Sequence, residues 1–414
     1  MTTTDRNPAQ KWSLSSLVVG APHGRLAVQA WLASRLVLLI VLLCVVWTKG
    51  TPLGDAWQQW DADHFVHIAS HGYTTLTETA YFPGLPLVMA LFQLVGVPPV
   101  ATGVLVSLAG SGMAAWALYR LTGGGAAGVV AVLAWSFAPM TVFTFVPYTE
   151  AVCCALAFWA FWYAKHDRWR LAATLAAGAC AFRISGLFLI GALGLLALLK
   201  KPEPVGTGPV GPQEPSPLVP LVPLVPPWRW RLTRVAWLGL PTAVLAAYAI
   251  YLRVGFGSWT AWFEAQGEGW GRHFNWPWQA IQATLHTAGV FDGAEPSPIM
   301  MIFCWEVAAC LIGTAVTVWC LLTRKVPEAG WVGVQVLALS CQTWLISLAR
   351  SMVLWFPLFI FVSQAATTNT VHRGKGGSGG SKVIRRLVGV VLFACEVAWM
   401  TWWASGYFSG GWSG

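Results

Sequence analysis

The sequence predicts an all-α polytopic membrane protein. Its mean hydropathy is +0.61, and 56% of its 414 residues are hydrophobic while only 10% are charged. Apolar runs of about 20 residues, the length that crosses a bilayer, recur along the chain, and a water-soluble fold cannot bury that much apolar surface. We therefore expect about 10–12 transmembrane or half-transmembrane helices, together with external juxtamembrane helices.

The apolar runs define the helices one after another. They are Leu26–Trp47, Val100–Tyr119, Ala126–Val146, Ala151–Ala164, Leu171–Leu199, Val235–Leu252, Ile299–Leu322, Trp331–Leu348, Val353–Ser363 and Leu387–Tyr407. The shorter segment Phe82–Gly96 reaches only about 22 Å as a helix, against a hydrocarbon core of about 30 Å. We expect it to dip into the membrane from outside.

Basic loops orient these runs, because Lys and Arg concentrate in cytoplasmic loops. The loops are His166–Arg170, Lys200–Arg234, Arg324–Lys325 and His372–Arg386. The first two lie on one side of the membrane, so the run between them must enter and return as two half-length helices. Arg183-Ile184-Ser185-Gly186 marks the break, since an interrupted helix is tolerated where it lines protein or a watery cavity.

This orientation predicts the domain organisation. A cytoplasmic tail, 1–25, precedes a catalytic membrane module, 26–200, whose first external loop is 49–81. A second module, 232–369, contains the external loop 255–298, and the last helix and tail occupy 387–414. Low-complexity cytoplasmic segments separate these parts: a Pro-rich linker, 201–231, and a Gly/Ser/Lys connector, 370–386.

Charge and cysteine content argue against a nucleic-acid-binding protein and against a cysteine-ligated metal site. The formal net charge is +9, but in a membrane protein basic residues mark cytoplasmic loops and headgroup contacts, so we expect no nucleic-acid partner. The nine Cys lie mostly inside apolar runs without metal-ligand spacing, which indicates small core residues.

Asp61 is the strongest candidate for a catalytic residue. It lies in Trp60–Tyr73, a polar, acidic and aromatic segment just beyond the first apolar run, and a carboxylate near hydrocarbon needs a reason to be there. One carboxylate within reach of an acceptor hydroxyl can act as a general base in sugar transfer. The alternative is that Asp61 is a helix N-cap.

Arginines that fall on the same external face complete the predicted site. Arg183 and Arg350 would hold a leaving phosphate through paired hydrogen bonds.

The segment Asp61-Ala62-Asp63, with His64, His67 and His71, resembles a metal-binding face. We favour a hydrated interfacial helix without a metal, and a divalent metal stays the alternative. Intramembrane Arg35, Glu306 and Glu396 are further candidates, although Arg35 could snorkel to the interface and the glutamates could only join helices.

The chain resembles the PIG-V-like mannosyltransferases, relatives of the enzyme that adds the second mannose to glycosylphosphatidylinositol, within the membrane-embedded GT-C class. The segments that carry the resemblance are Trp60-Asp61 through Ile68-Ala69 to Gly72-Tyr73, Tyr81–Pro86, Pro147–Glu150, Arg183–Leu187, Phe263–Gln266 to Trp270–Arg272, and Ser347–Arg350 leading to Phe356–Phe359. The chain departs from the pattern at His67, where the family often has a basic residue, and at Ser351, where it has an aromatic one.

The resemblance implies a GT-C-type fold and inverting transfer of mannose from a polyprenyl-phosphate donor to a lipid-linked or protein acceptor at an external active site. It places the base on Asp61. We expect sugar or acceptor contacts from the following residues: Asp63, His64, Tyr148, Glu150, Gln266, Trp270 and Arg272. High Ala, Gly and Trp with short loops indicate a bacterial plasma membrane. Transfer of another hexose or pentose, and a transporter or flippase of lipid-linked sugars, remain alternatives.

Overall fold

The computed structural model describes residues 22–200, 227–291, 295, 297–371 and 379–411. Within these ranges the chain is helical apart from turns, loops and one isolated antiparallel bridge between Phe274 and Gln342, so the all-α prediction is confirmed. Most of the predicted tail, Pro-rich linker and connector lies outside the described residues, at 1–21, 201–226 and 372–378. The described remainders are helical: 22–25, 227–231, 370–371 and 379–386 belong to helices, so the linker and the connector are shorter than predicted.

The helices follow one another closely along the chain. They are α1 Pro22–Lys49, α2 Leu53–Trp57, α3 Asp61–His71, α4 Gly84–Gln93, α5 Pro99–Leu121, α6 Gly125–Ser136, α7 Glu150–Lys165, α8 Trp169–Phe182, α9 Ser185–Leu199, α10 Pro227–Trp237, α11 Gly239–Phe256, α12 Ala261–Trp270, α13 Pro277–Thr287, α14 Pro298–Leu322, α15 Val326–Ser340, α16 Leu348–Ser351, α17 Phe356–Val371 and α18 Gly379–Phe408. Short 3-10 turns occupy Thr77–Ala80, Pro139–Thr144 and Met352–Leu354.

Length and composition identify the membrane spans among the described helices. Five segments are long and apolar enough to cross: Pro22–Lys49, Pro99–Leu121, Trp228–Phe256, Pro298–Leu322 and Leu387–Phe408. The pair Leu348–Leu354 and Phe356–Thr367, bent by 70°, would make a sixth, and α4, α6, α8 and α9 are shorter apolar helices. The protein is therefore polytopic, with full-length and half-length apolar helices mixed as predicted.

The predicted helix break is confirmed. α8 ends at Phe182, Arg183 is extended, and α9 begins at Ser185. The hairpin is tight because a Cβ at Gly186 would lie 2.5 Å from the Cα of Cys180. The Lys200 ammonium reaches the Lys165 carbonyl, so the chain leaves this hairpin at the face where it entered.

The run Ala126–Val146 is not one helix, which corrects our expectation. α6 ends at Ser136, and a 3-10 turn beginning at Pro139 follows. Proline lacks the N–H that a continuing helix needs, and the Thr141 hydroxyl instead donates to the Trp135 carbonyl. The chain is thereby turned toward Tyr148 and Glu150.

The helices place charged residues at two opposite ends of the bundle. α7 begins at Glu150 and ends at Lys165, whereas α8 runs back from Trp169 to Phe182, and Arg183 follows it. We call the end with Glu150 and Arg183 the cavity end, and the end with Lys165, Asp167 and Lys200 the basic end. At the basic end, ion pairs tie the helices together: Lys165–Glu328 at 2.5 Å, Lys200–Asp167 at 2.5 Å and Arg234–Asp167 at 2.7 Å.

Candidate active site

Asp61 is the first residue of α3 at the cavity end. The preceding residue, Trp60, has a φ of 55°, a left-handed conformation that costs on the order of 1–3 kcal/mol for a bulky residue. The Trp60 indole N–H donates to the Gly411 carbonyl at 3.1 Å, and the Asp61 backbone N–H donates to the Tyr148 hydroxyl at 3.1 Å. These contacts hold the strained turn in place.

The N-cap alternative for Asp61 is wrong. Trp60 occupies the cap position, and no side chain caps the helix there. The two Asp61 oxygens instead accept hydrogen bonds from Arg350 Nη1 at 2.6 Å and from the Tyr81 hydroxyl at 3.2 Å. Burial, and then the Asp61 charge, raise the pKa of Tyr81 far above its ordinary value, so the phenol stays protonated and donates.

Glu150 contacts both of the predicted phosphate-binding arginines. Its Oε1 is 2.5 Å from Arg183 Nη1 and 3.2 Å from Arg350 Nε, and its side chain is fully buried. The Arg350 guanidinium also lies over the Phe143 and Tyr148 rings, with centroids 5.4 and 5.6 Å away. Carboxylates on two sides and aromatic faces below fix the orientation of Arg350.

Glu306 fixes the backbone that carries Arg350. Its carboxylate, fully buried in α14, accepts the backbone N–H groups of Ser347 at 3.0 Å and of Leu348 and Ala349 at 2.8 Å each. Ser347 is left-handed, with a φ of 64°, so the chain turns sharply into the four-residue α16. A carboxylate is well suited to the free N–H groups at the start of a helix.

A cavity of about 340 Å³ opens in front of this charge cluster. Asp61 lines it together with Arg183, Arg272 and Arg350, and its remaining wall is largely aromatic and amide side chains. Its volume lies at the lower end of the range for small-molecule sites. One carboxylate and three guanidinium groups therefore face the same space.

Arg272 differs from the other two arginines because no carboxylate among the described residues forms an ion pair with it. Its Nη1 donates to Gln266 at 2.7 Å, its Nη2 to the Ser347 hydroxyl at 3.4 Å, and its buried Nε has no hydrogen-bond partner within the described structure. Burial, and then the nearby Arg350, lower the pKa of Arg272 to about 10, which still leaves it charged at neutral pH. Arg272 is a cation available to an anion.

The structure brings most of the predicted residues to this cavity. Asp61, Arg183, Gln266, Trp270, Arg272 and Arg350 line it. The other four predicted contacts do not. Asp63 is exposed and accepts from Gln58 at 2.7 Å, and His64 stacks on the Tyr81 ring. Tyr148 and Glu150 are buried behind the wall.

Tyr81 and Glu306 are the site residues whose roles sequence reasoning missed. Tyr81 stood in a motif that we quoted for the resemblance, but nothing local predicted that its hydroxyl would meet Asp61, 20 residues away. Its carbonyl is held by the Tyr73 and Tyr248 hydroxyls at 2.7 and 3.2 Å. The isolated charge of Glu306 in an apolar run was the available signal for that residue.

Other candidate residues lie outside the cavity wall. In the described part of the chain, no group of three or more His, Cys, Asp or Glu residues is placed to hold a metal ion. His67 instead approaches Glu78 at 3.3 Å. Arg35 does not snorkel, because it is buried and donates to the Thr144 carbonyl and hydroxyl at 3.1 and 2.9 Å. Glu396 borders a separate apolar cavity.

Comparison with known proteins gives one consistent result. Part of the chain is similar to mammalian GPI alpha-1,6-mannosyltransferase 2. The Mus musculus protein is 33% identical over 152 residues, the Rattus norvegicus protein 33% over 155 and the Homo sapiens protein 32% over 154. These matches cover 33%, 33% and 32% of this chain, and 30% of each relative's length. No family model matches the chain.

The matches confirm the resemblance to PIG-V-like mannosyltransferases over about a third of the chain. The chain matches less than a third of the length of these curated relatives, so activity and substrates are taken up below as proposals. The relatives are mammalian and give no support to the bacterial origin that composition predicts.

Proposed function

We propose that this protein is a membrane-embedded mannosyltransferase that moves mannose from a polyprenyl-phosphate donor to a lipid-linked or protein acceptor on the external face. The observation that carries this proposal is the wall of the cavity, where Asp61 faces the same space as Arg183, Arg272 and Arg350. Sugar transfer from a phosphate needs one base and several cations, and the partial similarity to mannosyltransferases favours the same reaction.

The step is an inverting displacement. The acceptor hydroxyl oxygen attacks the anomeric carbon, the bond from that carbon to the phosphate oxygen breaks, and the phosphate leaves with the electron pair. The acceptor proton passes to Asp61. Tyr81 and Arg350 hold the two carboxylate oxygens at 3.2 and 2.6 Å, so the base has a fixed orientation toward the cavity.

The cations have different roles in this proposal. Arg350 is committed to Asp61 and Glu150, and Arg183 to Glu150. Arg272 has no carboxylate partner in the described structure, so a phosphate would form its strongest new ion pair with Arg272. We assign the donor phosphate to Arg272, with Arg183 and Arg350 at its side, and the sugar to Gln266 and Trp270. Glu150 and Tyr148 act as supports that hold Arg350 and Arg183 in place.

The experiment is a transfer assay in nanodiscs of purified protein. Polyprenyl-phosphate donors carrying radiolabelled mannose, glucose or arabinose are compared, with lipid extracts and peptides as acceptors. We expect a mannosylated product and release of polyprenyl phosphate. Preferred transfer of another sugar would keep the enzyme class and change the donor. Movement of the donor across vesicles without a product would indicate a flippase and overturn the proposal.

A further inference from the structure

A second charged cavity lies at the basic end of the bundle, outside the proposed active site. It has a volume of about 650 Å³ and is formed by the start of α8 and by α10. Its charged lining consists of Asp167, Arg168, Arg170, Arg229 and Arg234, and its aromatic lining of Trp169, Trp230 and Trp237. Four arginines therefore outnumber one aspartate.

This basic cavity is separated from the catalytic cavity by the length of α8. The helix has 14 residues, which corresponds to about 21 Å. Arg170 lies near its first residue, whereas Arg183 follows its last. A ligand in the basic cavity cannot touch the reacting groups.

One of the four arginines holds helices together, and the other three are free to bind an anion. Arg234 is 4% exposed and pairs with Asp167 at 2.7 Å, while Lys200 takes the other Asp167 oxygen. No carboxylate among the described residues forms an ion pair with Arg168, Arg170 or Arg229, and all three are exposed. Their charge is not neutralised within the described structure.

The tryptophans indicate what kind of anion fits. The Arg170 guanidinium lies 5.2 Å from the Trp237 ring, and that of Arg234 lies 5.8 Å from the Trp169 ring. Indole rings prefer the headgroup level of a membrane, and guanidinium groups bind phosphate through paired hydrogen bonds. Trp169 is already buried, but Trp230 and Trp237 are partly exposed. A soluble anion would leave these two indole rings in water, whereas a lipid covers them with its glycerol and upper acyl carbons.

We propose that the basic cavity binds the phosphate of an anionic phospholipid in the leaflet opposite the catalytic cavity. Arg168, Arg170 and Arg229 contact the phosphate, and Trp230 and Trp237 contact the apolar part of the lipid. The lipid joins α10 to the start of α8, and so stabilises the hairpin that carries Arg183 at its far end. This proposal does not depend on the reaction catalysed.

The test counts lipids bound to the purified full-length protein by native mass spectrometry. Phosphatidylglycerol and phosphatidylcholine with identical acyl chains are titrated separately, and inorganic phosphate is added as a competitor. We expect phosphatidylglycerol to bind at least about tenfold more tightly, since each basic side chain near a membrane surface contributes to anionic-lipid affinity. Equal affinity for the two lipids would overturn the proposal, and so would displacement by millimolar phosphate.

Matched variants locate the site. The triple variant Arg168→Gln, Arg170→Gln, Arg229→Gln should bind phosphatidylglycerol about tenfold or more weakly. Arg324→Gln removes an exposed arginine near the same end that does not line the cavity, and should leave affinity unchanged. Equal effects of the two would contradict the assignment. If the triple variant fails to fold, a phosphatidylglycerol with a photocrosslinker on its headgroup should label the cavity lining, residues 167–171 or 229–237, in the unaltered protein. Labelling confined to residues outside that lining would contradict the assignment.

Discussion

The two ends of the bundle contain similar charged residues in different arrangements. At the cavity end, Asp61 and Arg350 form an ion pair at the wall of an open space, with Arg272 beside them. At the basic end, Asp167 bridges Lys200 and Arg234 and joins the ends of three helical segments. The first arrangement places a carboxylate beside an open cavity where it can meet a substrate hydroxyl. In the second, the carboxylate bridges two cations and holds helices together, and the arginines without a carboxylate partner in the described structure have no such base beside them.

This difference shows that residue type alone does not determine the role of a charged residue. The role depends on whether the side chain faces a cavity and on how many oppositely charged partners it already has. Glu150 illustrates this point at the cavity end itself. It lies within the charge cluster but is fully buried behind Arg350, so it supports the arginines and does not face the substrate space. We therefore expect substitutions at the two ends to separate activity from stability.

Asp61→Asn should have the largest effect on activity. It keeps the shape of the side chain and removes the proton acceptor, so we expect transfer to fall by about 10²–10⁴-fold. Asp63→Asn, two residues along the same helix and outside the cavity, is the matched control and should keep most activity. Initial rates in nanodiscs measure both, and equal losses would remove Asp61 from the base role.

Glu306→Gln should also lower transfer activity, by a smaller factor. A glutamine presents one acceptor oxygen and an NH2 group to three backbone donors, so α16 and Arg350 shift. Because misplacement of about 1 Å can cost about a hundredfold, we expect kcat to fall by about 10–100-fold. A loss of thermal stability with kcat preserved would show that Glu306 only joins helices.

Asp167→Asn should lower stability and spare activity. Burial alone would raise the pKa of Asp167, but hydrogen bonds from Lys200 and Trp169 outweigh it and hold the pKa below its usual value. A depressed pKa contributes stability above the ordinary value of about 4, and this contribution is lost as pH falls through the folded value.

We therefore expect Asp167→Asn to lose about 1 kcal/mol at neutral pH and to flatten the decline in stability below about pH 4. Asp55→Asn, at an exposed aspartate, should change neither the stability at neutral pH nor its decline below about pH 4. Thermal unfolding at several pH values and initial transfer rates measure these effects. A large loss of activity in Asp167→Asn would contradict the division between the two ends.

The sequence predicted the parts of the fold that depend on apolar length and on loop charge. The split of Leu171–Leu199 at Arg183 followed from two basic loops on one side. The break of Ala126–Val146 did not follow, because the apolar pattern continues through the turn and only Pro139 marks its position. Sequence reasoning predicted membrane helices from composition but not where a proline ends one of them.

The candidate site was predicted in part, for a similar reason. Arg183 and Arg350 are charges in apolar surroundings, and Asp61 lies in a polar segment directly after an apolar run, so all three stand out in the sequence. Their pairing does not, because Asp61 and Arg350 are 289 residues apart. Whether Tyr148 faces the cavity or lies behind it depends on side-chain packing, which no spacing rule contains. That Arg272 has no carboxylate partner among the described residues is likewise a property of the assembled fold.

Donor binding by two variants tests the central claim most directly. A phosphonate analogue of polyprenyl-phosphate-mannose, which cannot transfer its sugar, is titrated against Asp61→Asn and Arg272→Gln. The account predicts near-native affinity for Asp61→Asn, whose transfer activity is lost, and affinity weakened by about tenfold or more for Arg272→Gln, since a hydrogen bond to a charged group contributes about 1.5–3 kcal/mol. Unchanged affinity in Arg272→Gln, with the loss found in Asp61→Asn, would contradict it.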